Sequence, residues 1–138
     1  MNEFLKSEIK MLLVDDDPLV RRSLRMMLEL HDIPVVGEAT NGEEAIDAAV
    51  KLKPTMVLMD VNMPKMDGIQ AAKLIKSKLP FIHVIILTVH NEHSKVVQAI
   101  RDGCSAYVLK DSSPEQLIEV VESVAEGRYF VDTTIANQ

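Results

Sequence analysis

The stretch Ile9-Lys10-Met11-Leu12-Leu13-Val14-Asp15-Asp16-Asp17-Pro18 decides the fold, because an apolar run ends there abruptly on acidic residues. The run has the length of a β-strand. Asp17-Pro18 is typical of a helix start, with aspartate at the N-cap and proline at the first helical position. A strand followed directly by a helix is the repeating unit of an α/β sheet.

The same unit recurs four more times along the chain, because four further apolar runs alternate with helical patterns. The strands are predicted at about 9–15, 34–38, 55–60, 82–87 and 106–109. Helices are predicted at about 18–30, from a capping box at 40–43 to 50, at 69–78, at 92–102, and from a capping box at 113–116 to Gly127. The third strand is almost wholly apolar, as expected when helices cover both faces, and the short second strand is predicted near an edge.

Four of these strands end on residues that phosphoryl chemistry could use. Asp15 and Asp16 follow the first strand, Asp60 ends the third, Thr88 follows the fourth and Lys110 follows the fifth. In open α/β sheets the site forms at the carboxyl ends of the strands, so the fold would gather these side chains at one edge. Each residue alone is more often a strand terminator or a surface residue, and it is the joint pattern that indicates a site.

Three carboxylates at one edge repel one another unless a cation joins them. Mg²⁺ favours carboxylate oxygens and keeps several waters of its own. A carboxylate can also act as a nucleophile toward a phosphoryl group and form an aspartyl phosphate. Lys110 could neutralise charge on the other side of that group, and Thr88 could donate a hydrogen bond to one of its oxygens. The sequence therefore predicts a site for a divalent metal and a phosphoryl group.

Composition bounds the remaining possibilities. The 138 residues are about one domain, and the net charge of −6 argues against nucleic-acid binding by this segment. Cys104 is the single cysteine, so no intrachain disulfide can form and a cytoplasmic location is expected. Neither a signal peptide nor an apolar run of membrane-spanning length is visible, so no membrane partner is expected.

Several motifs resemble the receiver domain of bacterial two-component response regulators. They are Val14-Asp15-Asp16-Asp17-Pro18, Met59-Asp60-Val61-Asn62-Met63-Pro64-Lys65-Met66-Asp67-Gly68, Leu87-Thr88 and Tyr107-Val108-Leu109-Lys110. The resemblance assigns 8–127 to a receiver domain and 128–138 to a tail or the start of a linker to an output domain. It implies a flavodoxin-like (βα)5 doubly wound parallel sheet with strand order 2-1-3-4-5.

The resemblance also implies the roles of the acidic residues. Asp60 would be the phosphoacceptor, receiving its phosphoryl group from a histidine kinase. Asp16, Asp60 and the backbone carbonyl of Asn62 would hold Mg²⁺, with Asp15 nearby and bound through water. The domain would then be a phosphorylation-controlled switch.

The same resemblance makes Thr88 and Tyr107 the switch pair and Lys110 the phosphate-binding lysine. Two positions depart from the commonest receiver pattern. Lys110 is followed by Asp111 where many receivers have proline, so the cis peptide often found there would be costly. Val89 stands where many receivers have a smaller residue, which could narrow the way to the phosphate and alter its hydrolysis rate.

Both departures resemble the NarL/FixJ (LuxR-type) subgroup, as do Lys110-Asp111-Ser112-Ser113-Pro114 and Ala125-Glu126-Gly127-Arg128-Tyr129-Phe130. Regulators of that subgroup carry a helix-turn-helix domain after the receiver, so a transcriptional output is expected, with DNA contacted only through a domain absent from this chain. A homodimer through helix 1 and helix 5 on phosphorylation is also expected. The last predicted helix has a wide apolar stripe that is either a core face or a partner surface: Leu117, Ile118, Val120, Val121, Val124 and Ala125.

Other function classes stay open on the residues alone. A stand-alone receiver acting by protein–protein contact would share every motif. A flavodoxin-like electron carrier would need a Ser/Thr/Gly-rich phosphate loop where this chain has Asp15-Asp16-Asp17-Pro18. An Asp-nucleophile phosphohydrolase would fit the spacing of Asp15 and Asp17, but Pro18 closes that loop. We expect a signalling domain and not an enzyme, with Mg²⁺-dependent self-phosphorylation and self-dephosphorylation at most.

Overall fold

A computed structural model describes residue 6 and residues 8–61, 63, 66–88 and 93–131. For residues 93–96, 130 and 131 it describes the backbone only. The described residues form one parallel sheet in the order β2-β1-β3-β4-β5-β6. The strands are β1 (Met11–Val14), β2 (Val35–Ala39), β3 (Met56–Asp60), β4 (His83–Thr88), β5 (Ala106–Leu109) and β6 (Phe130–Val131). The helices are α1 (Pro18–Leu30), α2 (Gly42–Leu52), α3 (Gly68–Lys78), α4 (His93–Arg101) and α5 (Pro114–Ala125).

The predicted doubly wound sheet is confirmed, with the flavodoxin-like strand order 2-1-3-4-5 and β2 at an edge. The sixth strand is not predicted by the sequence pattern. It lies in the segment 128–138 that the sequence indicates as a tail or linker, and it pairs with β5 in the register Ala106↔Phe130 and Tyr107↔Val131. A two-residue strand is too short to show the alternation that identifies strands in a sequence.

Both faces of the sheet are covered, which explains why its strands are nearly continuous apolar runs. On one face, alternate strand residues such as Leu12 and Val57 pack against α2, α3 and α4. On the other face, Met11, Leu13 and their neighbours pack against α1 and α5. The strand ends are therefore the main places where polar side chains can reach solvent from within the sheet.

The helix starts follow the predicted capping chemistry, with one correction. Ser113 caps α5 through a hydrogen bond from the Gln116 amide at 3.1 Å, as its motif predicts. The capping box predicted at 40–43 lies one residue too early. Asn41 is the N-cap, accepting from the Glu44 amide at 2.9 Å, and Glu44 reaches back to the Thr40 amide at 2.9 Å. Two acceptable caps, Thr40 and Asn41, stand side by side, and the sequence alone does not choose between them.

The apolar stripe of α5 is a core face. Leu117, Ile118, Val120, Val121 and Val124 are all buried, and Ala125 packs against the same cluster. The alternative interpretation of this stripe as a partner surface is therefore wrong. Apolar side chains are instead exposed on α1, where Leu19, Met26 and Leu30 are 72%, 58% and 79% exposed.

Two further findings concern the backbone. No peptide bond of the described residues is cis, and this includes the bond between Lys110 and Asp111. None of the helices in that part of the chain is long and apolar enough to cross a membrane.

Candidate functional site

The carboxyl edge of the sheet brings the predicted site residues together. Asp15 follows β1 and Asp60 ends β3, and these strands are neighbours in the register Val14↔Met59. Thr88 ends β4 beside Leu109, so Lys110 follows on the next strand, with its amide 2.7 Å from the Thr88 carbonyl oxygen. The parallel register places these residues in one layer. Asn62, whose backbone carbonyl is a predicted metal ligand, lies outside the described residues, as does Val89.

Three carboxylates meet at this edge. One oxygen from each of Asp15, Asp16 and Asp60 lies within 4.8 Å of the others. Asp15 and Asp60 are almost fully buried, at 1% and 3% exposure, while Asp16 is exposed. A set of hard oxygen donors with one side open to water fits Mg²⁺, which retains part of its hydration shell.

Lys110 compensates part of the negative charge. Its ammonium nitrogen lies 2.8 Å from Asp15 Oδ2 and 3.2 Å from Asp60 Oδ2. Burial lowers the pKa of Lys110, but the two carboxylates outweigh burial and leave that pKa raised above its ordinary value. The lysine is therefore firmly charged. Counting only these four groups, three carboxylates against one ammonium leave two negative charges, which a divalent cation would balance.

Asp15 is the most constrained member of the cluster. Its amide donates to the Ala39 carbonyl at 3.1 Å, and its Oδ1 accepts from the Asp17 amide at 2.9 Å. Its other carboxylate oxygen faces Lys110, and its backbone carbonyl accepts a hydrogen bond from Arg21 at 2.6 Å. Asp15 is thus an organiser of the edge, and the exposed Asp16 carboxylate has the freer approach to a metal.

The predicted switch pair is buried. Thr88 and Tyr107 are each 1% exposed, and the Tyr107 ring points into the protein. A small apolar cavity of about 80 Å³ lies beside that ring, lined also by Ala99, Ile100 and Tyr129. Threonine and tyrosine thus lie on adjacent strands, and the cavity separates the tyrosine ring from part of α4.

Sequence reasoning missed the roles of two residues at this edge. Gly68 begins α3, and a Cβ there would overlap the carbonyl oxygen of Asp60 and lie 2.9 Å from its carbonyl carbon. Arg21 reaches the Asp15 carbonyl from the first turns of α1. Gly68 is the last residue of the motif 59–68 quoted above and directly follows the N-cap Asp67, but neither signal indicates its approach to Asp60, and Arg21 looks like one of several surface arginines on a helix.

The remaining titratable candidates are structural. Cys104 is buried just before β5, and burial raises the pKa of its thiol to about 12, so it is a small core residue. His83 at the start of β4 has its Nδ1 3.4 Å from Ser105 Oγ. His90 and His93 are three residues apart at the start of a predicted helix, but His90 and the side chain of His93 lie outside the described residues.

Comparison with known proteins agrees with this geometry. Residues 11–122 match the response regulator receiver domain family. The chain is 41% identical over 132 residues to YxjL, an uncharacterised transcriptional regulatory protein of Bacillus subtilis, covering 95% of this chain and 61% of that protein. It is 36% identical over 125 residues to the nitrate/nitrite response regulator NarL of Escherichia coli, covering 90% and 58% respectively.

Solved structures give the same picture. A LuxR-family two-component response regulator from Aurantimonas superposes with a TM-score of 0.88 at 32% identity, covering 94% of this chain and 93% of that one. RcsB, in a structure of two dimers bound to two parallel DNAs, superposes with a TM-score of 0.84 at 26% identity, covering 94% and 66%. The chain spans about three fifths of the length of the curated relatives it matches.

Proposed function

The chain belongs to the response regulator receiver family, and from that premise we propose that Asp60 accepts a phosphoryl group from a histidine kinase. Receivers of this kind are signalling proteins and not classical enzymes. The single observation that carries the proposal is the position of Asp60. It is a nearly buried carboxylate at the carboxyl edge of the sheet, 3.2 Å from the Lys110 ammonium and within 4.8 Å of an oxygen of Asp15 and of Asp16.

The proposed reaction is a phosphoryl transfer. A carboxylate oxygen of Asp60 attacks the phosphorus of a phosphohistidine. The new O–P bond forms as the P–N bond breaks, and the departing imidazole nitrogen takes up a proton. Such a transfer depends on positioning and charge neutralisation. The ammonium of Lys110 already lies 3.2 Å from Asp60 Oδ2 and would pair with the phosphoryl oxygens once they are attached. The Thr88 hydroxyl would donate a hydrogen bond to one of these oxygens.

Asp16, Asp60 and the carbonyl of Asn62 would hold Mg²⁺, with Asp15 contributing through water. The ion, when bound, would neutralise the side of the phosphoryl group opposite Lys110. Support comes from the oxygen donors within 4.8 Å of one another and from the excess of these three carboxylates over the one ammonium group of Lys110. With a small-molecule donor the same chemistry would give Mg²⁺-dependent self-phosphorylation and later self-dephosphorylation.

Acetyl phosphate with Mg²⁺ tests the proposal, with intact mass as the measurement. The parent chain should gain one phosphoryl group, and Asp60→Asn should gain none. Asp67→Asn is a matched control, because asparagine also caps a helix and Asp67 lies in the same region as the N-cap of α3. A phosphoryl group on the Asp60→Asn chain would overturn the assignment.

We also assign the switch to Thr88 and Tyr107. Movement of the Thr88 hydroxyl toward the phosphoryl group would change the space available to the Tyr107 ring, which biases a two-state element. The described ring position is the inward one. Structures with and without a beryllofluoride mimic should differ in the position of this ring, and identical positions in both would count against the switch.

The expected homodimer has support on α1. Met26 and its apolar neighbours are exposed there, and a groove of about 280 Å³ separates α1 from the start of α5 beside Lys110. A symmetric dimer of the full-length protein would present two DNA-binding units in the cytoplasm, in line with the dimers named for RcsB. The stand-alone receiver is the alternative.

Met26→Glu probes this dimer on α1, where the side chain is exposed. A substitution of Glu122 on α5 would also break its ion pair with Lys6 at 3.4 Å, so it would be a less specific probe. Sedimentation with a beryllofluoride mimic should show a dimer for the parent and a monomer for Met26→Glu. Val50→Glu, on α2 at the opposite face, should still dimerise. If Met26→Glu dimerises like the parent, the dimer does not use α1.

A further inference from the structure

Arg21 lies next to the acidic cluster without belonging to it. We propose that Arg21 is a positioning residue that sets the Mg²⁺ affinity of the site by fixing the direction of Asp16. This inference rests on the metal site of the proposed function and adds a residue to it. The guanidinium of Arg21 donates from one terminal nitrogen to the Asp15 carbonyl oxygen at 2.6 Å. Its Nε donates to Glu38 Oε1 at 3.0 Å.

The contact with the Asp15 carbonyl matters because that carbonyl belongs to the peptide joining Asp15 to Asp16. A peptide unit is planar, so fixing its oxygen also fixes the amide and Cα of Asp16. The Asp15 amide is held by Ala39 and the Asp15 carboxylate by Asp17 and Lys110. Arg21 supplies the contact that sets the rotation of the following peptide. The exposed Asp16 carboxylate starts from that peptide.

Arg21 is itself held in place. Glu38 on β2 accepts from Arg21 with one oxygen and from Arg25 with the other, at 3.0 Å and 2.6 Å. Burial raises the pKa of Glu38, but the two arginines outweigh burial and leave that pKa below its ordinary value. Glu38 therefore stays ionised. The side chain of Arg21 is only 15% exposed. Hydrogen bonds from Arg21 on α1 therefore connect β2 to the segment that carries Asp16.

In one simpler interpretation Arg21 is only a nearby positive charge, and in another it only links α1 to β2. These two interpretations and the positioning role predict different changes in Mg²⁺ affinity when Arg21 is replaced. A positive charge beside an acidic site opposes cation binding, so its removal should tighten Mg²⁺ binding. Loss of a mere link between α1 and β2 should change the stability of the fold and leave the Mg²⁺ affinity unchanged. Loss of a positioning contact should weaken Mg²⁺ binding, because residues that orient metal ligands typically contribute about tenfold or more to affinity.

Calorimetric titration with MgCl₂ at constant ionic strength tests the inference, with Mg²⁺-free denaturant unfolding as the separate stability readout. Arg21→Met keeps the aliphatic stem and removes the donors, and its Kd for Mg²⁺ should rise about tenfold. Arg22→Met removes the same charge from an exposed neighbour on α1, and its Kd should stay at the parent value or fall slightly. Arg21→Lys should recover part of the affinity, because an ammonium can still donate to the Asp15 carbonyl.

The outcomes separate the two proposals. If Asp16→Ala binds Mg²⁺ as tightly as the parent, the metal site itself is assigned wrongly. If Asp16→Ala loses binding while Arg21→Met keeps or improves it, the site stands and the role of Arg21 is overturned. If Arg21→Met does not fold, Arg21→Lys and Glu38→Gln decide the question. Both should fold and show a raised Kd, and parent-like Kd values in both would overturn the role.

Discussion

The two ends of the sheet treat charge in opposite ways. At the carboxyl end, pairing holds groups in their ionised forms: burial disfavours charge there, but the pKa of Lys110 is raised by Asp15 and Asp60, and the pKa of Glu38 is lowered by two arginines. At the amino end, two buried groups are held neutral, because burial lowers the pKa of His83 and raises the pKa of Cys104 to about 12.

This difference shows that the carboxyl end of the sheet keeps closely spaced charges that folding does not need. The amino end satisfies its polar groups locally: the Lys10 amide donates to Thr55 Oγ1 at 2.9 Å, and His83 lies beside Ser105. The carboxyl end keeps three carboxylates together with one lysine, although like charges at close range destabilise a fold. An arrangement that costs stability on its own is expected where a ligand balances it, which is why the site lies at this end.

The largest effect is expected for a methyl group placed against Asp60. Gly68→Ala should destabilise the protein by about 2–3 kcal/mol, the upper part of the usual range for overpacking, because the new Cβ would overlap the Asp60 carbonyl oxygen. It should also slow phosphorylation by displacing Asp60. Denaturant unfolding and the acetyl phosphate reaction are the measurements.

Gly127→Ala is the matched control at the amino end. Gly127 has φ +90, and among the described residues, its two chain neighbours aside, no atom lies within 4 Å of the position that an alanine methyl group would take there. Alanine should therefore cost roughly 1 kcal/mol of backbone strain and leave phosphorylation unchanged. If the Gly68→Ala protein is as stable and as readily phosphorylated as the parent, α3 can move away from β3 without loss of stability. The close approach of Gly68 to Asp60 would then not be what holds the carboxyl end in place.

The sequence predicted one side of this contrast, the charged residues at the carboxyl end. Asp15, Asp60, Thr88 and Lys110 could be identified because each ends an apolar run, and parallel strands in register bring such ends together. The strand order came from a family resemblance and not from periodicity, which carries no information about neighbours.

The missed features are those that depend on distance between segments far apart in the chain. Arg21 meets the Asp15 carbonyl only once α1 has packed on the sheet, and the approach of Gly68 to Asp60 exists only in three dimensions. The stripe of α5 was ambiguous for a related reason. An apolar helix face looks the same in sequence whether it meets a sheet or a partner, and only the packing of Val121 and its neighbours decides.

A smaller effect, of opposite sign, is expected for removal of one charge from the acidic cluster. Asp16→Asn should raise the Mg²⁺-free stability by about 1 kcal/mol or less, the Coulomb energy of two charges about 4 Å apart in water, because Asp16 is exposed. It should also reduce the stabilisation that added Mg²⁺ gives the parent through binding to the folded state.

Glu8→Gln, an exposed carboxylate at the amino end, is the control for that prediction. It should change stability by less than about 0.5 kcal/mol, with or without Mg²⁺. Equal responses of Asp16→Asn and Glu8→Gln would mean that the three carboxylates do not strain the fold, and the contrast between the two ends would lose its electrostatic basis.

A still smaller effect is expected from acid at the amino end. Burial, and then the charge of Lys76, lower the pKa of His83 below its ordinary 6.5. A lowered pKa means that the folded state binds the proton less readily than the unfolded state, so this stability is present above pH 6.5 and is lost as the pH falls below it. His83→Gln should therefore show a flatter decline in melting temperature below this pH than the parent. Parallel curves of melting temperature against pH for the two proteins would show that protonation of His83 does not destabilise the folded state.

The smallest expected effect is none at all, and it tests the neutral end most directly. Thiol alkylation proceeds through the thiolate, and burial raises the pKa of Cys104 to about 12, so the folded protein should resist iodoacetamide near neutral pH. In denaturant the same thiol should be labelled completely, which controls for the reagent. Because Cys104 is 4% exposed, labelling of the native chain requires local opening around β5, and its rate should follow opening and not the chemistry of the thiol. Rapid native labelling would mean that the amino end opens readily, and the neutrality of this end could then not be attributed to tight burial.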